Sequence, residues 1–147
     1  MQALNFPQFK FKVKTENGKE YIFDVCRKKY VRLLPEEWVR QHLIHYLVFV
    51  KKYPVGLTKI EQMLTVNNRK KFTDISIYNN LGLPHLIAEC KSFKQKLVQD
   101  NFNQAAHYNS VLGVKLFVVS NGLQHFVCEF KDEQIVFLDD VPEYKAE

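Results

Sequence analysis

The chain has 147 residues, 46% hydrophobic and 25% charged, with twelve phenylalanines, seven tyrosines and a formal net charge of +5. That length suits one domain, the apolar content suffices for a packed core and excludes a disordered chain, and the positive balance favours anionic partners such as nucleic acid. Cys26, Cys90 and Cys128 are odd in number and far apart, without a CxxC pair, which argues against a disulfide framework or a zinc ribbon and for a reducing compartment. The start, MQALNFPQFKFK, lacks the apolar run of a secretory signal. The longest apolar stretch, Leu43 to Val50, is interrupted by His45 and too short to cross a bilayer. The expectation is a soluble cytoplasmic protein with no membrane segment.

In Phe9-Lys10-Phe11-Lys12-Val13-Lys14 apolar and basic residues alternate, the pattern of a half-buried strand with Lys10, Lys12 and Lys14 on one face. Asn17-Gly18 then predicts a turn and Tyr21 to Val25 a returning strand, so residues 1–30 form an N-terminal hairpin extension and 31–138 the core. The lysine face is either a solvated edge or a ribbon that contacts DNA. Tyr21, Phe23 and Tyr30 either stack on bases or fill the core, and the second is the expectation.

Pro35 followed by Glu36 and Glu37 predicts a helix start, since proline suits the first turn and the acids complement the positive end of the helix. Val39, Leu43, Leu47 and Val50 recur at helical spacing, and Tyr53-Pro54 ends the run. His42 and His45 lie three apart on this helix; without a third ligand at fitting spacing they are expected at the helix surface or an interface.

Three strands are then predicted at Leu57 to Val66, Phe72 to Tyr78 and Pro84 to Lys91, with Asn79-Asn80-Leu81-Gly82 as a turn. In the second, Phe72, Asp74, Ser76 and Tyr78 share one face and Thr73, Ile75 and Ile77 the other. Asn67 to Lys71 (NNRKK) is a basic loop before it, either simply solvated or able to grip phosphate. A helix over Lys96 to Val111, a buried strand from Lys115 to Ser120 and a closing hairpin near Gln124 to Phe130 and Gln134 to Leu138 complete a mixed α/β chain around one sheet.

The second and third of these strands carry acids where a core strand would not. Asp74 sits in the middle of FTDISIY and Glu89 near the end of HLIAECK, and a carboxylate there is costly unless a cation pairs with it. Lys91 is one partner, two residues from Glu89 on the same face; a metal ion is the other. Two carboxylates and the backbone carbonyl of Cys90 make an oxygen-rich site of the kind Mg²⁺ accepts, with the Cys90 side chain on the opposite, packed face. His85, His107 and His125 are scattered and define no nucleophile triad.

Asp74, then Glu89-Cys90-Lys91 fifteen residues on behind an apolar run, resembles the D…ExK signature of the PD-(D/E)XK nuclease superfamily. Together with Pro35-Glu36-Glu37-Trp38-Val39-Arg40-Gln41, Gln104-x-x-x-Tyr108-Asn109 and Ser120-Asn121-Gly122, it resembles the N-terminal nuclease domain of type I restriction enzyme R subunits, from about residue 30 to 138. The resemblance implies a restriction-endonuclease-like α-β-β-β-α-β core and a Mg²⁺-dependent DNA endonuclease, Mn²⁺ serving as a substitute. It implies Asp74 and Glu89 as metal ligands, Lys91 as the catalytic lysine, and Gln104 and Tyr108 on one face of the following helix, aimed at the site or at DNA. An acid of the first helix completes such sites; Glu37 is the choice and Glu36 the fallback. DNA is the implied partner, with separately encoded helicase and methyltransferase subunits and a homodimer as further expectations. Two features depart from the family: Thr73 precedes Asp74 where a proline is usual, and no GxxxxGK[ST] loop of a helicase motor occurs in these residues. A module of the same fold that binds nucleic acid or a partner without cutting is the alternative.

Overall fold

A computed structural model describes residues 1–66 and 68–146. Asn17 and Gly18 both adopt positive φ (53° and 74°), which a two-residue hairpin turn requires, and β1 (Val13–Glu16) folds back on β2 (Lys19–Asp24). A third strand, β3 (Lys29–Arg32), pairs with β2, so the expected hairpin is an antiparallel three-stranded sheet. Its second turn is built by Asp24, whose Oδ1 accepts from the N–H groups of Cys26 (2.7 Å) and Arg27 (2.9 Å), with Lys28 left-handed at φ 56°.

The first strand begins later than the alternation predicts. Phe9 and Phe11 lie outside it and cross the first helix, α1 (Pro35–His45), where Phe11 packs on Trp38, His42 and His45 at centroid distances of 5.3, 4.7 and 4.5 Å. Pro35 opens α1 with Glu36 and Glu37 in its first turn. The helix runs on into a π-helical turn, Tyr46–Val50, so Val39, Leu43 and Leu47 are buried whereas Val50 turns off the stripe and is exposed.

The main sheet has the order β4 (Thr58–Val66), β5 (Arg69–Tyr78), β6 (Pro84–Cys90), β7 (Leu116–Ser120), β8 (His125–Lys131) and β9 (Gln134–Leu138). Only β6 and β7 run parallel, and the second helix, α2 (Gln99–Ser110), makes the crossover between them. It starts three residues later than expected, because Leu97 is drawn into the core and Val98 stays extended. The chain thus follows α1-β4-β5-β6-α2-β7, a mixed α/β fold with a helix on each face. On one face Val39, Leu43, Ile44 and Leu47 pack against Ile75, Ile77, Leu86, Ala88 and Cys90; on the other Phe102 and Ala106 pack against Ile87, Phe117 and Val119. Even-numbered residues of β6 therefore face α1 and odd-numbered ones face α2. Among the described residues no helix is long and apolar enough to cross a membrane.

His42 and His45, expected at the surface or an interface, are buried beneath the aromatic arm, each ring bonded through Nδ1 to the carbonyl four residues back (2.8 Å to Trp38, 2.9 Å to Gln41). Burial first of all holds both imidazoles below the ordinary value of 6.5. The unfolded chain therefore takes up these protons before the folded one, and stability falls as pH drops from 6.5 through the lowered folded values. Thermal melts should show a lower Tm at about pH 5.5 than at pH 7, with a shallower dependence in His42→Leu/His45→Leu. An equal slope in both proteins would exclude these histidines as the cause.

Candidate active site

The ladder between β5 and β6 runs from Tyr78↔Pro84 to Ile75↔Ala88 and stops there. Beyond it β5 continues along β4 and β6 along β7, so the two strands part as a fork. Asp74, Glu89 and Lys91 occupy that fork. The Asp74 Oδ2 accepts from the Cys90 N–H at 2.8 Å, which brings the carboxylate against the backbone between Glu89 and Lys91. Glu89 and Lys91 project on the α2 side and line a cavity of about 240 Å³ with Gln95, Leu97, Val98 and Asn101. The Cys90 side chain points the other way, 1% exposed against α1; burial, and then the Asp74 charge, push its thiol well above the ordinary range.

Strict alternation along β5 fails at Asp74. The hydroxyls of Thr73 and Ser76, three residues apart, are hydrogen-bonded to each other and so share a face. Asp74, expected beside Ser76, instead turns toward α1, where its Oδ1 accepts from the Arg40 guanidinium at 2.9 Å. The physical cause lies in β4: Glu61 takes a left-handed backbone (φ 52°), and the pairing passes from Ile60↔Ile75 to Gln62↔Thr73 across it. A non-glycine residue in that conformation costs roughly 1–2 kcal/mol, and Glu61 and Asp74, opposite each other across the ladder, both turn to Arg40.

That side holds a network of four carboxylates and two guanidiniums. Arg27 bonds Asp24 (2.6 Å), Glu61 (2.6 Å) and both oxygens of Glu37 (3.0 Å each). Arg40 bonds Glu37 (2.8 Å) as well as Asp74. Gln41 Nε2 donates to Asp24 and Glu37, both at 3.0 Å. Burial acts to raise the Asp24 carboxyl, but the hydrogen bonds from Arg27 and Gln41 prevail and hold it below its usual value. Glu37, the acid expected to complete the site, is thus committed to two arginines and a glutamine. Glu36, the fallback, lies near Asp74 and Lys91: desolvation, and then the Asp74 charge, raise its carboxyl, with Arg40 and Lys91 opposing.

On the opposite side Glu89 forms an ion pair with Lys71, whose ammonium sits 5.4 Å from the Tyr108 ring centroid. Tyr108 thereby reaches Glu89 through Lys71, whereas Gln104, one turn earlier on α2, is exposed to solvent. Arg69 to Lys71 are strand, not loop, because the β4–β5 hairpin is longer than the sequence suggested; Asn67 of that basic run lies outside the described residues. Ser120-Asn121-Gly122 is a structural turn that also tethers the loop after β6. Asn121 Oδ1 accepts from the Leu123 and Gln124 N–H groups (2.9 and 2.7 Å), and its Nδ2 donates to the Gln95 carbonyl (2.8 Å). Gly122 sits at φ 88°, a conformation L side chains rarely adopt, and a Cβ there would also press on the Leu4 methyl groups at 2.8 Å.

Sequence reasoning assigned no role to Arg27, Arg40 and Gln41, and gave Lys71, in its basic run, to phosphate rather than to Glu89. A signal for two of them was present: Arg40 and Gln41 stand three and four residues after Glu37, on its helix face. Among the described residues no three His, Cys, Asp or Glu side chains are gathered as a metal-binding group. The donor chemistry nevertheless fits a hard cation: Asp74, Glu89 and Glu36 offer carboxylate oxygens, and the network carries more carboxylates than guanidiniums. Asp74 and Glu89 are each paired with a cationic side chain, Arg40 and Lys71.

The family signature of the type I restriction enzyme R protein N terminus (HSDR_N) covers residues 35–142, well over half of the chain. The chain belongs to this family. The family region supplies the site residues described above except Asp24 and Arg27, which come from β2 and the turn after it. No curated protein matches the chain. Among solved structures, a fragment of a proposed HsdR subunit of a type I restriction enzyme from Vibrio vulnificus is 15% identical with a TM-score of 0.45, over 70% of this chain and 23% of that one. This chain thus spans less than a quarter of that fragment. A proposed nuclease from Anabaena variabilis is 13% identical with a TM-score of 0.49, over 86% of this chain and 80% of that one.

Proposed function

We propose that the chain is a Mg²⁺-dependent DNA endonuclease domain that hydrolyses phosphodiester bonds at the β5–β6 fork. The observation that supports this reading is the bond from the Cys90 N–H to Asp74, which brings that carboxylate against the backbone between Glu89 and Lys91 in a chain of this family. Asp74, Glu89 and the Cys90 carbonyl would hold the ion, Mg²⁺ or Mn²⁺ in its place, with Glu36 the further acid in place of Glu37. When bound, such an ion acidifies a water and neutralises charge on phosphate. The Lys91 side chain makes no ion pair or hydrogen bond among the described residues, so its ammonium is available to a phosphate oxygen and to the attacking water. Arg40 holds Asp74 in the fork, and Lys71 orients Glu89. Tyr108 and Gln104 flank the approach along α2. The partners that follow are DNA and, from the family's name, other subunits of a type I restriction enzyme, with helicase and methyltransferase functions supplied by separate chains. A homodimer would place two forks on two strands.

One observation favours a second reading, a non-catalytic module of the same fold that holds nucleic acid or a partner protein. Both principal carboxylates already have cationic partners, Asp74 with Arg40 and Glu89 with Lys71. Calorimetric titration with Mn²⁺, beside cleavage of supercoiled plasmid and branched DNA, separates the two. The nuclease reading expects Mn²⁺ binding that Asp74→Ala removes, together with metal-dependent nicking. No binding and no cleavage with either metal would overturn it in favour of the module.

A further inference from the structure

The three-stranded sheet has one face turned inward and one turned outward. Ile22 and Asp24 of β2 are fully buried, so Tyr21 and Phe23 project on the opposite side. Register places Lys14 opposite Tyr21, Arg32 opposite Tyr21 on the other flank, and Tyr30 opposite Phe23. Lys12 adjoins Phe23 through the Phe23 N–H to Lys12 carbonyl bond. Lys12, Lys14, Tyr21, Phe23, Tyr30 and Arg32 therefore form one continuous outward face. Each ring has a flexible cationic side chain over it, which a base would displace toward the phosphates: Lys12 is 5.5 Å from the Phe23 centroid, Lys14 is 4.4 Å from that of Tyr30, and Arg32 is 6.0 Å from that of Tyr21. Phe23 and Tyr30 meet edge to face at 5.3 Å. The sole acid on this face of β1, Glu16, pairs with Lys14 at 3.2 Å and leaves the face strongly positive.

We infer that this face binds single-stranded polynucleotide, its rings stacking on unpaired bases and its lysines and arginine meeting the backbone phosphates. The pairing of ring and cation is what the chemistry requires, because each nucleotide offers a flat apolar base and one negative phosphate. Tyr21 and Phe23, two residues apart on one strand, are separated by roughly 7 Å, a spacing suited to successive bases of an extended strand. A duplex hides its bases from such rings, which sets single strands apart from a purely electrostatic surface. The turn that follows β2 delivers Arg27 into the network at the fork, so the face is fixed to the site rather than carried on a loose arm. The residues involved precede the family region, and the inference does not rest on cutting.

The test is fluorescence anisotropy of the whole chain in EDTA, with labelled dT20, U20 and a duplex of the same length as probes. Tighter binding of both single strands than of the duplex is expected, dT20 and U20 reporting whether the sugar matters. Tyr30→Leu should weaken dT20 by about tenfold while Tyr30→Phe keeps it, since stacking needs the ring and not the hydroxyl. Lys12→Gln/Lys14→Gln, on exposed side chains that leave the melt unchanged, should flatten the salt dependence by roughly 0.7 per cation removed. Equal or tighter duplex binding, or full affinity in both Tyr30→Leu and the double lysine variant, would overturn the inference. Binding is read in EDTA, where metal-dependent cutting does not occur, and cleavage is read separately with Mg²⁺, so the two proposals fail separately.

Discussion

Lys91→Ala is expected to lower metal-dependent DNA cleavage by at least about a hundredfold, the usual effect of removing a group that stabilises charge in the transition state, with little change in melting temperature. The side chain makes no bond that holds the fold among the described residues, and β6 is retained by its backbone: the Lys91 N–H donates to the Ser120 carbonyl at 2.8 Å, which alanine keeps. Single-turnover nicking of plasmid with Mg²⁺ and Mn²⁺, beside a thermal melt, checks both parts. A drop in cleavage that tracks a drop in Tm would assign Lys91 to structure. Unchanged cleavage in a folded protein would remove it from the chemistry. Lys91→Arg is a useful third variant, because it restores charge but spreads it over a planar group of different reach.

Arg40→Ala should destabilise the protein by about 3–5 kcal/mol, the range for breaking a buried ion pair by removing one partner. Arg40 is 6% exposed and is the cation bonded to Asp74; Glu37 keeps Arg27 when it is lost, but Asp74 keeps only the Cys90 N–H. Glu61 and Glu36 then add like charge nearby. Urea unfolding measures the effect, and Arg40→Ala/Asp74→Asn should recover a substantial part of it, because the stranded charge is gone. Should the double variant be as unstable as the single one, packing of the Arg40 stem and not charge would be the cause. Mn²⁺ offers a second readout: with Arg40 removed, Asp74 has an oxygen free for the ion, so added metal should restabilise Arg40→Ala more than the unaltered chain.

The element order was legible because it rests on local signals. Pro35-Glu36-Glu37 opens a helix, Asn17-Gly18 makes a hairpin turn, and Leu86 to Cys90 form a strand buried on both faces, and each of these expresses a preference of neighbouring residues. The third strand of the N-terminal sheet was missed because Asp24 makes its turn with a buried side chain, a bond that no spacing of apolar residues announces. Tyr21, Phe23 and Tyr30 were expected in the core on hydrophobicity alone, yet pairing with β3 gave β2 an outer face and put them there. His42 and His45 were expected outside, yet the arm carrying Phe9 and Phe11 covers them.

Asp74, Glu89 and Lys91 were singled out from sequence because their chemistry is wrong for a core strand and their spacing fits one hairpin. Composition and pattern by themselves determined a mixed α/β chain with acids on adjacent strands and a lysine beside one of them. Only the tertiary structure decided which way each acid turns. The left-handed Glu61 breaks the alternation of β5 and hands Asp74 to Arg40, Glu37 is taken by Arg27 and Arg40, and Glu36 is left beside the fork. Those assignments depend on residues more than thirty positions apart in some pairs and on a backbone conformation that a one-letter pattern does not encode, since charge can be placed along a strand locally but is neutralised only by whatever the fold brings against it.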